Sequence, residues 1–197
     1  PILAHTLLAF DICPDVDEVV VVVPKEYVDF CGRKVVEPYG ITKVRRIGPG
    51  GRHRQDSVYE GLKAAEGAEI VVVHDGVRPL VRPELISRSV AICRERGAAI
   101  VAVPVKETVK LVEGGMVHET LPREALWAAQ TPQTFRREVL WEAFQRAFRD
   151  GILATDEAAL VERIGHRVWV VEGEYRNIKI TTTEDLYVAE RLLEEEC

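Results

Sequence analysis

Ile70-Val71-Val72-Val73-His74-Asp75-Gly76 is the stretch that decides the fold. Four β-branched residues in a row, with no polar alternation, are the pattern of a strand buried on both faces, as in a parallel sheet covered by helices. The same pattern recurs on either side, at Val19-Val20-Val21-Val22-Val23 and at Ala98–Val103. Segments with helical spacing lie around these runs, at residues 2–13, Asp56–Ala65, Pro83–Glu95 and Arg136–Arg149, with a shorter helix expected within 25–31. Further strands are expected near Lys43–Ile47, at Val168–Val171 and at Ile178–Thr181. A last helix starts near Thr182 or Thr183, where Thr182-x-x-Asp185 has the form of a capping box, and Glu194-Glu195-Glu196 reads as its solvated end. Strands alternating with helices imply an α/β fold with a doubly wound, mostly parallel sheet.

One segment breaks the alternation. Thr108–Leu111 and Met116–Thr120 flank Glu113-Gly114-Gly115, and Gly-Gly suits the positive φ angles of a tight hairpin. This hairpin, at about 106–125 with its flanks, is either a surface flap or an arm exchanged between subunits.

Composition sets outer bounds. The 197 residues suit one domain. The longest apolar run, Val19–Pro24, is far short of the roughly 20 residues of a membrane-spanning helix. Pro1–Phe10 has neither a basic leader nor a small-residue cleavage site, so no secretory signal is read there. The net charge of −6 argues against a nucleic-acid surface and leaves room for a local cationic pocket. Cys13, Cys31, Cys93 and Cys197 show no C-x-x-C spacing, so reduced thiols and a cytoplasmic setting are expected.

Four clusters can carry chemistry. Asp75 directly follows a buried strand, at the sheet edge where open α/β folds bind ligands. With Gly76 and Arg78 it either holds a metal–phosphate group or caps a turn. Gly50-Gly51-Arg52-His53-Arg54-Gln55-Asp56-Ser57 places glycines, two arginines and a hydroxyl ahead of a helix. It reads as a phosphate loop or as a solvated basic turn. It is neither a P-loop nor G-x-G-x-x-G. In Arg123–Gln133, Trp127 reads as structural beside a Pro-containing loop, and Arg123 and Thr131 are candidate oxyanion donors. Lys179 sits between Ile178 and Ile180, either facing solvent or aimed at an anionic ligand. Thr155 is read as the cap of a helix whose positive end is favoured by Asp156 and Glu157. The five histidines lack zinc-ligand spacing, and no G-x-S-x-G occurs.

Taken in order, G-G-x-x-R-x-D-S-V (50–58), H-D-G-V-R-P (74–79), V-P-V-K-E-T-V-K (103–110), L-W-A-A-Q-T-P-Q-T-F (126–135), T-D-E-A (155–158) and N-I-K-I-T (177–181) resemble the 2-C-methyl-D-erythritol 4-phosphate cytidylyltransferases of non-mevalonate isoprenoid biosynthesis. The resemblance implies a Rossmann-like nucleotidyltransferase domain with a protruding β-arm that builds a homodimer. It implies transfer of CMP from CTP to a polyol phosphate, with Mg²⁺ and release of pyrophosphate. Carried over by position, Gly50, Gly51, Arg52, Ser57, Asp75, Gly76 and Arg78 would bind nucleotide. Asp75 would also hold the metal, and family members often have an acid where Arg52 stands. Thr108, Arg123, Thr131, Thr155, Asp75 and Lys179 would line the polyol-phosphate site. Lys179, Asp75 and Arg123 would be catalytic. Ribitol 5-phosphate enzymes share much of this motif set, and an inactive nucleotide-binding dimer is the reading outside enzymology. The family opens on a strand and a Gly-rich L-A-A-G-x-G-x-R…P-K segment, whereas Pro1–His5 aligns with the helix that follows it. The expectation is a natural protein carrying this segment, roughly 30 residues with a central strand, ahead of Pro1.

Overall fold

In the computed structural model, which describes residues 1–194, the valine run becomes strand β1 (Val19–Val23). β-Branched side chains lose little rotamer freedom on a pleated surface. β1 pairs in parallel with β2 (Val44–Pro49), with Val21 opposite Ile47 and Val23 opposite Pro49. Between them, residues 25–39 form a series of short 3-10, α and π turns that include α2 (Val28–Cys31).

The main sheet has four strands. Its members in chain order are β3 (Ile70–Val73), β4 (Ala98–Pro104), β7 (Trp127–Arg136) and β8 (Trp169–Glu172), arranged in space as β3-β7-β4-β8. β4 and β8 are parallel, and β7 is antiparallel to both β3 and β4. β3, β4 and β8 therefore run the same way, which keeps the parallel-rich α/β frame. The remaining strands, β5 (Lys110–Glu113) and β6 (Met116–Thr120), pair only with each other.

Helices cover both faces of the main sheet. On one side α5 (Arg137–Asp150) and α6 (Glu157–Arg163) pack on it, burying Leu140, Phe144, Leu160 and Val161 around Phe135. Leu62 joins them from α3 (Arg54–Ala64). On the other side α1 (Ile2–Ile12) and α4 (Pro83–Arg96) bury Phe10, Leu85 and Ile86 against Ala99, Val101 and Val171. Ala98 faces the first cluster and Ala99 the second, as the two-residue period of a strand requires. α1 also turns Ala4 and Leu7 toward Val21, Cys31 and Val35, so it bridges the main sheet and the β1–β2 pair. The last helix, α7 (Thr183–Glu194), packs beside Leu80 and Ile180. Its start is capped as expected: Asp185 accepts from the Thr181 and Thr182 amides, and the Thr182 hydroxyl accepts from Asp185 N–H. Glu194 is exposed, while Glu195, Glu196 and Cys197 lie outside the described residues. Among the described residues no helix is long and apolar enough to cross a membrane, and Cys13, Cys31 and Cys93 are buried free thiols.

The structure corrects three local expectations. Residues 127–136 are a ten-residue strand in the middle of the sheet, not a loop beside Trp127, and Trp127 itself is exposed. The misleading features were Pro132, which follows a cis bond, and four polar residues. These polar residues are buried because each finds a partner. Gln130 donates to Glu174 O, Gln133 to the Asp156 carboxylate, and Thr134 pairs with Ser89. Second, Ile178–Thr181 is extended but lies outside the ladders; Ile180 N–H donates to Val77 O while its side chain packs near Leu80. Third, the cap of α6 is Asp156, whose carboxylate accepts from Ala159 N–H, so Thr155 lies one residue outside.

Phe135 is fully buried on the central strand. Phe135→Ala is expected to lower the unfolding free energy by about 3–5 kcal/mol in urea titration, because β7 is flanked on both sides and cannot collapse into the cavity.

Candidate active site

The site forms where β3 ends. Asp75 is the second residue past β3, and the turn after it closes with Arg78 N–H donating to Asp75 O. Three cations meet its carboxylate. Arg54 Nε donates to Oδ1 at 3.2 Å, while Lys179 Nζ lies 3.2 Å and Arg78 Nε 3.5 Å from Oδ2. Burial alone would push the Asp75 carboxyl up, but Arg54, Lys179 and Arg78 outweigh it and hold the group below its ordinary range. Burial in turn lowers Arg78, which also donates from Nη1 to Asn177 O at 2.8 Å.

The backbone of Asp75 is fixed from beneath. Its N–H donates to the Thr131 hydroxyl at 3.1 Å, and that hydroxyl lies 3.0 Å from His74 Nδ1. His74 Nε2 lies 3.2 Å from Arg78 O, a carbonyl that can only accept. Nε2 therefore carries the proton, and the Thr131 hydroxyl donates to Nδ1. Every donor in this relay has one acceptor. Burial of His74 pushes its pKa down to about 4, so the ring is neutral at pH 7.

The glycine loop approaches from the β1–β2 side. Gly50 N–H donates to Val23 O, and a Cβ at Gly50 would stand 2.6 Å from Ser57 Oγ. A Cβ at Gly51 would collide with the Asp56 side chain. Both positions therefore need glycine to let the loop fold over the start of α3. The Ser57 hydroxyl donates to His53 O and accepts from Gly51 N–H, so it clamps the loop. Asp56 accepts from His53 N–H at the helix start. Arg52 is exposed. A Cβ on Gly76 would stand 3.0 Å from Leu3, and Thr6 donates to Gly76 O, which ties this turn to α1.

The structure thus brings together Asp75, Gly76, Arg78, Thr131 and Lys179, with the Gly50–Ser57 loop joined to them through Arg54. Thr155 is exposed at the head of α6, beside Asp156 and Glu157. Thr108 and Arg123 are not part of the cluster. Both are exposed on or next to the hairpin, and Arg123 donates to Lys106 O.

Sequence reasoning missed several groups. In the sequence Arg54 reads only as added charge and Glu157 only as an acid at a helix's positive end. In the structure Arg54 bridges Asp75 and Glu157, with Nη1 donating to Glu157 Oε1 at 2.7 Å. A signal for Glu157 existed: Leu160 and Val161 stand three and four residues on, which places it on the apolar face of α6. Asn177 and Gln130 were also missed. Asn177 Nδ2 donates to Thr131 O and Gln130 Oε1, which ties the Lys179 segment to β7.

Comparison with known proteins identifies the family. The sequence profile of the family described as "IspD: 2-C-methyl-D-erythritol 4-phosphate cytidylyltransferase" matches residues 1–195. The chain belongs to this family. It is 48% identical to the 2-C-methyl-D-erythritol 4-phosphate cytidylyltransferase of Geotalea uraniireducens over 98% of this chain and 84% of that protein. It is also 48% identical to the enzyme of that name from Geobacter metallireducens, over 99% of this chain and 86% of the relative. Among solved structures, the 4-diphosphocytidyl-2C-methyl-D-erythritol synthase of Anaerococcus prevotii superposes with a TM-score of 0.90 at 34% identity, covering 98% of this chain and 86% of that one. The Thermus thermophilus 2-C-methyl-D-erythritol 4-phosphate cytidylyltransferase gives 0.81 at 38% identity, over 97% and 87%. These matches carry the Rossmann-like nucleotidyltransferase fold of the family.

His74 yields a pH prediction. Its folded pKa of about 4 lies below the free value of 6.5, so the unfolded chain binds the extra proton first. The contribution of His74 is complete above pH 6.5 and is lost as pH falls toward 4, by on the order of 3 kcal/mol. Urea titrations across that window should show this loss, and His74→Gln should flatten it.

Proposed function

We propose that this chain transfers CMP from CTP to 2-C-methyl-D-erythritol 4-phosphate and releases pyrophosphate. The observation that carries the reading is the cluster around Asp75, just past the carboxyl end of β3 in a chain of this family. Three cations face two carboxylates there, Asp75 and Glu157, which leaves the cluster one positive charge in excess. Such a site suits a reaction whose barrier is repulsion between two anions.

The chemistry needs no strong base. An oxygen of the polyol phosphate forms a bond to the α-phosphorus of CTP. The bond from that phosphorus to the bridging oxygen breaks in line, and pyrophosphate leaves with the electron pair. Lys179 is half-exposed beside Asp75 and can move its ammonium onto the phosphate oxygens where charge develops. Arg78 is held by Asn177 O and acts as a fixed positive wall. Gly50, Gly51, Arg52 and Ser57 form the nucleotide loop, with Gly76 and Arg78 on the facing turn. Thr155 and Lys179 face the polyol phosphate, and Thr131 serves that site by holding Asp75. Thr108 and Arg123 reach a polyol-phosphate site from the arm, most simply that of a partner subunit.

Mg²⁺ fits this donor set in a limited way. Among the described residues no group of three or more His, Cys, Asp or Glu is placed to cage an ion. One carboxylate is nevertheless what Mg²⁺ commonly takes from a protein when substrate phosphates and water complete its shell. Asp75 would hold it, and the ion would neutralise phosphate charge there. The arm, about residues 106–125, exposes Leu111, Val112, Met116 and Val117, an apolar set that supports pairing with a second subunit in a homodimer. A cytoplasmic enzyme acting on soluble substrates is consistent with the free buried thiols.

Pyrophosphate release from CTP and Mg²⁺ should depend on 2-C-methyl-D-erythritol 4-phosphate. Turnover with ribitol 5-phosphate instead would move the assignment to another polyol-phosphate enzyme, and CTP binding without turnover would favour a non-catalytic protein. Lys179→Ala should cut kcat by at least about 100-fold, the scale of one lost oxyanion donor, while the melting temperature stays within a few degrees. Light scattering should find a dimer that Val112→Glu together with Met116→Glu converts to monomer; a wild-type monomer would count against the arm.

A further inference from the structure

The steps of the reaction above assign no role to Glu157. Glu157 is 1% exposed, at the first position of α6, with Oε1 2.7 Å from Arg54 Nη1 and no partner for Oε2. A carboxylate is placed in such surroundings only at a cost, and burial pushes its pKa up despite the facing guanidinium. Its neighbours explain what it does there. Arg54 opens α3, directly after the glycine loop, and its Nε is committed to Asp75. Gln55, the next residue, clamps the segment ahead of α6 from both sides. Its Nε2 donates to Ile152 O at 3.0 Å, and its Oε1 accepts from Ala154 N–H at 2.8 Å. Two consecutive residues of the nucleotide-loop helix thus grip residues 152–157, the stretch that carries Thr155.

We propose that Glu157 is a positioning residue that locks the Arg54 guanidinium across to Asp75 and thereby couples the nucleotide loop to the segment bearing Thr155. A guanidinium has five N–H donors in a rigid plane. Pinning Nη1 on Glu157 and Nε on Asp75 fixes that plane. Among the described residues Nη2 makes no hydrogen bond, and Arg54 is 37% exposed, so its remaining donors are open to an anionic ligand. Without Glu157 the side chain keeps one anchor and can rotate about it. The proposal rests on the cytidylyltransferase reading for its ligand.

Glu157→Gln tests it, because the amide keeps the volume and the acceptor but removes the charge. We expect the Kd for CTP–Mg²⁺, by calorimetry, to rise about tenfold, the scale of one weakened charge-assisted hydrogen bond. We expect kcat/KM to fall in parallel. In a double-mutant cycle with Arg54→Lys, the second substitution should add little to the first, since a lysine cannot span both carboxylates at once. Unchanged CTP affinity in a folded Glu157→Gln protein, or losses that simply add in the cycle, would overturn the proposal. If Glu157→Gln does not fold, Glu157→Asp, which keeps the charge but draws it back from Arg54, decides: the same tenfold rise supports the lock, and wild-type affinity refutes it. Failure of the functional reading looks different. There the wild-type protein binds CTP yet does not turn over methylerythritol phosphate, whereas failure of the lock leaves wild-type turnover intact.

Discussion

One carboxylate, Asp75, holds three cations in a space they could not otherwise share. Arg54, Arg78 and Lys179 reach it from α3, from the turn after β3 and from the extended segment before α7. Opposite unit charges about 4 Å apart attract by about 4 kcal/mol at the effective dielectric of such a half-buried place, and like charges repel in the same measure. Asp75 turns that repulsion into a cluster with one positive charge to spare once Glu157 is included. The surrounding structure serves to keep this carboxylate in place.

That support is layered. The His74–Thr131 relay fixes the Asp75 backbone, and Asn177 ties both Thr131 and Arg78 to the segment carrying Lys179. β7 supplies Gln130, Thr131 and Gln133 from the middle of the sheet, which is why a strand with so many polar groups can be buried. An acidic protein thereby gathers a locally cationic cluster just past β3. The cluster also joins elements from distant parts of the chain: the start of α3, the turn after β3 and the head of α6.

Much of this was legible in the sequence, for identifiable reasons. The valine runs and the helical periods between them reveal strands and their covering helices, but they overstate burial on both faces: β3 is an edge strand with only Val73 buried, and β1 buries only Val21. Asp75 and Lys179 could be singled out because a charge beside a buried strand, or between two isoleucines, has few uses. Gly50 and Gly51 were legible as a loop that needs close approach. β7 was hidden because its inward polar residues and Pro132 imitate a loop, and their hydrogen-bond partners lie 23–45 residues away for Gln130, Gln133 and Thr134. The linkage of Arg54 to Glu157 spans 103 residues and leaves no local trace. Thr108 stood out only through family resemblance and Arg123 also as a candidate oxyanion donor, and neither bonds to the Asp75 cluster within one chain.

The central claim is that the Asp75 cluster receives the phosphates about to react. The most direct measurement is a crystal structure of the protein with Mg²⁺ and a non-hydrolysable CTP analogue. The account predicts the α-phosphate beside Asp75, with Lys179 or Arg54 moved onto its oxygens and the His74–Thr131 relay unchanged. A triphosphate bound elsewhere, with Arg54, Arg78 and Lys179 still paired to Asp75, would contradict it.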